Sequence, residues 1–240
     1  MTQSGKMRRL QVFVLLLLAT TPAWTQGQED SFSVYGDHPR LFLGTKRLKL
    51  LRRERERQSL RWQQLENLIA GKAPMPEPGF SYALYYRTSD DQDIGRRAVA
   101  WALGAGTDLR QLALVFDWCQ PLLSPAEKKN LMGKLVQGIE GSSSDSHVST
   151  VRGRVLAAIA LGGEDENPAL ATRVLSQTVR EWWEQRIAPE LKQGRGPLER
   201  DDSYPLFELL HALRDNLNIE LRDSAPRFFK DLPIFQLLSY

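Results

Sequence analysis

His147 and Tyr204 are the two residues whose type and placement could do chemistry. His147 follows a small polar loop, GSSSDS, and opens an apolar helical run that stops at Gly162-Gly163. Tyr204 stands in ERDDSYPLFELL, again at the mouth of a helical segment. Facing one cleft, the two could move protons. An imidazole serves as base; a phenol, with a pKa near ~10, serves as acid, or as base where cations lower that value. The bland alternatives are a histidine that caps or packs a helix start and a tyrosine that staples one ahead of Pro205. Around them, Ser146 can donate a hydrogen bond to a ligand, and Arg152 and Arg154 can pair with anionic groups. Trp118 can stack on a sugar ring, as can Trp101, Trp182 and Trp183, although tryptophans in apolar helical stripes more often belong to a core. His38 and His211 read as structural.

The elements that must position these residues are helices. A charged run over 45–71 carries an apolar stripe of Leu48, Leu51, Leu65, Leu68 and Ile69, with RRERER as a solvated face. Pro74, Pro76 and Pro78 then break it. Asp90-Asp91, Asp108, Ser124-Pro125-Ala126-Glu127, Asn167-Pro168, Ser203 and Ser224-Ala225-Pro226 each supply start chemistry for a further helix. No segment alternates apolar and polar residues with β-branched support, so no strand is expected. The chain reads as all-α, with eight or nine antiparallel helices and no fixed repeat.

Composition narrows the function classes. Residues 1–23 have the form of a secretory signal peptide: Lys6, Arg8 and Arg9, then an apolar stretch over 10–19, then Thr21-Pro22-Ala23. That stretch is shorter than the ~20 residues a membrane span needs, so no stable membrane insertion is expected after cleavage. Residues 24–37 read as a linker or N-terminal arm and 38–240 as one helical domain, periplasmic or secreted. Lys and Arg number 32 against 29 acidic residues. Without the three basic residues of the leader the charge balances, and the basic pI of 9.0 carries no message about partners. No basic run is interleaved with aromatics, which argues against nucleic acid. Cys119 is the only cysteine, so a disulfide within the chain and a zinc site of the Cys/His kind are excluded by counting. Neither a metal nor a cofactor is expected.

Several segments, taken in order, resemble the N-terminal helical domain of heparinase II/III-type polysaccharide lyases and their alginate-lyase relatives. They are HPRLFL, YYRTSD ahead of a helix, DLRQLALVFDWC followed by LSPAEK, the histidine loop, and SYPLFELLHAL. The resemblance covers residues 38–240. It implies an incomplete (α/α) toroid whose helical hairpins ring a cleft, followed in the family by a β-sandwich domain that adds a second catalytic histidine and commonly a metal site. This sequence stops before such a domain, inside the apolar run FQLLSY. It is therefore expected to be the toroid portion of a longer protein, holding half of the catalytic constellation and prone to self-association through an exposed docking face. The implied reaction is β-elimination on a uronic-acid-containing glycan, with an acidic polysaccharide or oligosaccharide as partner. His147 matches the toroid histidine, which holds the carboxylate or acts as base, and Tyr204 matches the tyrosine that donates or abstracts the proton. The family commonly has asparagine before its histidine, where this chain has Asp145 and Ser146. Where some members carry an acidic residue three positions later, it has Thr150. Two other readings stand beside this one: a non-catalytic helical carbohydrate-binding module, and a helical scaffold that binds protein.

Overall fold

The computed structural model describes residues 32, 34, 37–164, 168–195 and 198–238; the expected signal peptide lies outside them. Among the described residues every regular element is helical. The series runs α1 (Thr45–Glu56), α2 (Leu60–Ala70), α3 (Pro78–Ser89), α4 (Gln92–Leu103), α5 (Leu109–Trp118), α6 (Pro125–Gly141), α7 (Val148–Leu161), α8 (Pro168–Ser176), α9 (Ala188–Lys192), α10 (Ser203–Leu217) and α11 (Pro226–Leu238). A π-helical stretch, Gln177–Ile187, joins α8 to α9 without interruption.

Local chemistry accounts for most helix starts. Asp91 and Asp108 accept hydrogen bonds from the amides of Ile94 and Gln111. Ser124 and Glu127 form a reciprocal capping box ahead of α6. The run over 45–71 is two helices rather than one. Gln58 takes a left-handed conformation at φ 49°, and Ser59 restarts the chain by accepting from the Trp62 amide at 3.3 Å. A residue with its own capping side chain can close one helix and open the next without proline or glycine.

The order of packing follows from a few contacts. Gly95, early in α4, lies against Tyr86 near the end of α3, while Gly79, early in α3, lies against Trp101 near the end of α4. The two helices are therefore antiparallel. Gly138, late in α6, likewise meets Leu109 at the start of α5. The neighbours α3, α5, α7 and α10, by contrast, gather their N-terminal ends together. The Gly79 amide donates to Gln111 at 3.1 Å, Gly153 packs on Leu109, and Arg152 of α7 pairs with Glu208 of α10 at 2.9 Å.

The far ends of α5 and α7 are tied by the chain ahead of α1. Buried Asp117 accepts from the Arg40 amide at 3.0 Å and the Leu41 amide at 2.8 Å, and pairs with His38 Nδ1 at 2.5 Å. Arg40 in turn donates to the carbonyls of Ile159 and Gly162. In α5 every residue from Arg110 to Trp118 is buried, and in α7 every residue from Val155 to Leu161. These two helices are the middle of the core. The helices α4 and α6 bury one face each and return the chain along the outside.

Candidate functional site

The converging N-terminal ends carry a network of five side chains. Arg110, second residue of α5, is only 2% exposed. Its Nε and Nη2 donate to the two oxygens of Glu208 at 2.8 and 2.7 Å, a bidentate pair. Its Nη1 donates to Glu77 at 3.0 Å, and Nη2 also reaches the Tyr204 hydroxyl at 3.2 Å. Arg152 donates to the second oxygen of Glu208 at 2.9 Å. Tyr204 completes the set by donating its phenolic proton to Glu208 Oε1 at 3.0 Å. The ring of Phe80 lies 5.1 Å below the Arg110 guanidinium and shields it from water.

Charge within the network balances: two guanidinium groups against two carboxylates. Burial works against the Arg110 cation, yet the bonds and charge of Glu208, with Glu77 behind them, outweigh it and hold the guanidinium more firmly protonated than usual. The Tyr204 phenol is pushed above its ordinary value, first by burial and then by the negative Glu208, with Arg110 opposing. The site therefore holds a phenol that keeps its proton at neutral pH. The residue stays 62% exposed, while its oxygen is fixed from within by Glu208 and Arg110.

Other expected site residues fall in different places. His147 is the residue that leads into α7, and its side chain is exposed. Its backbone amide donates to Asp145 at 2.9 Å, and its ring takes no part in the Tyr204 network. Asp145 is folded onto its own loop by that amide and by the Thr150 hydroxyl at 2.7 Å; these two bonds hold its carboxyl below the usual range. The Asp145 carboxylate is thus occupied within its own loop.

Ser146 is half-buried; its carbonyl accepts from the Trp182 indole at 2.9 Å. It lines a groove of about 500 Å³ with Arg154 and Arg173. Arg154 donates to the carbonyls of Ser143 and Asp145, so the two arginines of α7 part company, one bracing a loop and one joining Glu208. Trp118 is a core residue. It is 1% exposed, its indole N–H is spent on the Leu41 carbonyl at 2.8 Å, and its ring meets Phe80. No face of it is left for a sugar.

Arg110, Glu77 and Glu208 escaped the sequence reading. The available signals were an arginine inside the apolar run LRQLALVF and a glutamate one helical turn after Tyr204. His38, read as structural, is the residue that reaches Asp117, with Glu164 3.5 Å from its other nitrogen. Among the described residues no group of three or more His, Cys, Asp or Glu side chains is placed to hold a metal ion, and no helix is long and apolar enough to cross a membrane. Compared with known proteins, the chain matches no family model and no curated protein.

Proposed function

We propose that this chain is the toroid portion of a periplasmic or secreted polysaccharide lyase, acting by β-elimination on a uronic-acid-containing glycan. The observation that carries the reading is the hydrogen bond of the Tyr204 hydroxyl to Glu208, itself gripped by Arg110 and Arg152 where four helix N-terminal ends meet. Elimination needs an acid for the departing glycosidic oxygen, and a phenol that keeps its proton is suited to that task. Tyr204 is accordingly assigned as acid rather than base. Gathered helix N-termini favour a nearby negative charge, such as the uronate that must be stabilised as the C5 proton leaves. His147, at the start of α7, is the assigned base or carboxylate holder.

The test is to incubate the full chain with a panel of acidic polysaccharides and follow the ultraviolet absorbance of the unsaturated uronate. Product formed by the parent chain and lost in both Tyr204→Phe and His147→Ala supports the assignment. Product that persists at parental rate in Tyr204→Phe refutes it.

One observation favours a second reading. The His147 ring is separate from the Tyr204 network, and a site with an acid but no partnered base binds without turning over. In that case the chain is a non-catalytic helical carbohydrate-binding module, and glycan binding without product identifies it.

A further inference from the structure

A second site lies at the opposite end of the parallel helices. A groove of about 580 Å³ runs between α1, the chain ahead of it and the last turn of α3. The α1 residues that line it stand at positions 45, 48, 49, 52, 53 and 56, the spacing of one helical face. That face spans roughly 16 Å at about 1.5 Å per residue. Lys49, Arg52 and Arg53 project from it, and Arg87 of α3 closes the far wall. Against these four cations the lining offers two carboxylates, Asp37 and Glu56.

Pairing within the protein does not neutralise the cluster. Arg52 is bound by Asp90 at 3.0 Å. Lys49, Arg53 and Arg87 form no ion pair among the described residues; Arg87 lies over the Tyr86 ring at 5.8 Å. The Nε atoms of Arg52 and Arg87 are both buried without a hydrogen-bond partner. Lys49 and Arg53 are four residues apart on one helix, a like-charge spacing that costs stability unless something negative sits between. The start of α1 adds to the same field. Gly44 and Thr45 line the groove, Gly44 provides no side-chain cap, and the first turn contains no acidic residue to offset the positive end of the helix dipole.

We infer that this groove binds an acidic oligosaccharide, one whose sugars carry carboxylate or sulfate groups, remote from Tyr204. Its length exceeds that of one anionic group and suits a chain with repeated charges. The guanidinium groups offer bidentate contacts to carboxylate or sulfate. No Phe, Tyr or Trp lines the groove, and its one aromatic ring, His38, is tied to Asp117 and packed edge-on to Phe116, which argues against stacked nucleobases. The choice of ligand class rests on the proposed lyase reading; the existence of an anion groove does not.

The test is equilibrium binding of the full chain to a short oligogalacturonate, to its methyl-esterified form and to single-stranded DNA of equal charge. The parent should bind the free acid, with affinity falling as salt rises, and should not bind the ester. Lys49→Glu combined with Arg53→Glu, both on the exposed side of α1, should weaken binding about tenfold or more. Arg87→Gln should weaken it too, while Tyr204→Phe should leave it unchanged. Undiminished binding in the double variant overturns the inference, as does equal affinity for the DNA. Binding through this groove, with no unsaturated product from any polysaccharide of the panel, would sink the lyase reading and leave the groove standing. Product with no effect of the double variant would sink the groove alone.

Discussion

The hydroxyl of Tyr204 and the carboxylate of Glu208 are one turn apart on α10 and joined at 3.0 Å, with the phenol as donor. The same carboxylate is gripped by Arg110 from α5 and Arg152 from α7. A tyrosine at a helix mouth is thereby fixed by groups from three helices.

The first prediction concerns that proton. Burial and Glu208 raise the Tyr204 pKa above its ordinary value near ~10. A raised phenol contributes stability that is complete below the unfolded value and is lost as pH climbs through the folded one. The parent minus Tyr204→Phe difference in phenolate absorbance should therefore rise only at pH above 10. Glu208→Gln removes a negative neighbour and should bring the transition down. A Tyr204 phenol that ionises near neutral pH would reverse the acid assignment.

Arg110 should be among the costliest residues to remove. Its guanidinium is 2% exposed and Glu208 is 11% exposed, so Arg110→Ala leaves a poorly hydrated carboxylate with Arg152 as its one remaining charge partner and the Tyr204 hydroxyl as its other donor. A loss of about 3–5 kcal/mol is expected in urea unfolding, as for breaking a buried pair. Combining Arg110→Met with Glu208→Leu should cost clearly less than the sum of the single changes. Additive losses would show that the pair is not coupled.

Much of this arrangement was legible in sequence, for local reasons. The starts at Asp91, Asp108 and Ser124 depend on side chains that bond within three residues, and His147 and Tyr204 were found at helix mouths by the same reasoning. The break at Gln58–Ser59 is hidden because no proline or glycine marks it and the charged run RRERER ahead of it reads equally well as a solvated helix face. The partners of Tyr204 were hidden for a different reason. Arg110 and Glu208 are separated by 98 residues, and only the packing of α5 beside α7 and α7 beside α10 brings them together. Trp118 is a sugar platform by residue type alone; the apolar run around it favours the core, and the partner of its indole N–H, the Leu41 carbonyl 77 residues away, is what local pattern does not encode.

Two glycines should respond oppositely to alanine. A methyl group on Gly79 would lie far inside van der Waals contact distance of the Trp101 ring, so Gly79→Ala should destabilise by about 1–3 kcal/mol. A methyl group on Gly133, inside α6, meets nothing within 4 Å, and Gly133→Ala should stabilise by roughly 0.5–1 kcal/mol through helix propensity. Thermal melts of the two variants on either side of the parent would confirm the close approach of α3 to α4.

Cys119 should be chemically silent while the chain is folded. It is fully buried, and burial pushes its thiol up to about 12. A thiol-specific reagent at neutral pH should leave it unlabelled in native protein and label it completely in denaturant. Rapid native labelling would mean that the C-terminal end of α5 opens readily.

The clasp between Arg40 and the end of α7 places a demand on the order of synthesis. Arg40 reaches carbonyls 119 and 122 residues further along the chain. At about 5–20 residues per second on the ribosome, the segment around Arg40 waits roughly 6 to 25 s before its acceptors exist. For the first 77 residues of that interval Leu41 has no Trp118 to cover, and Asp117, once made, has none of its donors until the segment returns. The first part of the domain to be translated is thus among the last to be seated, and its apolar residues are what a holding chaperone would meet.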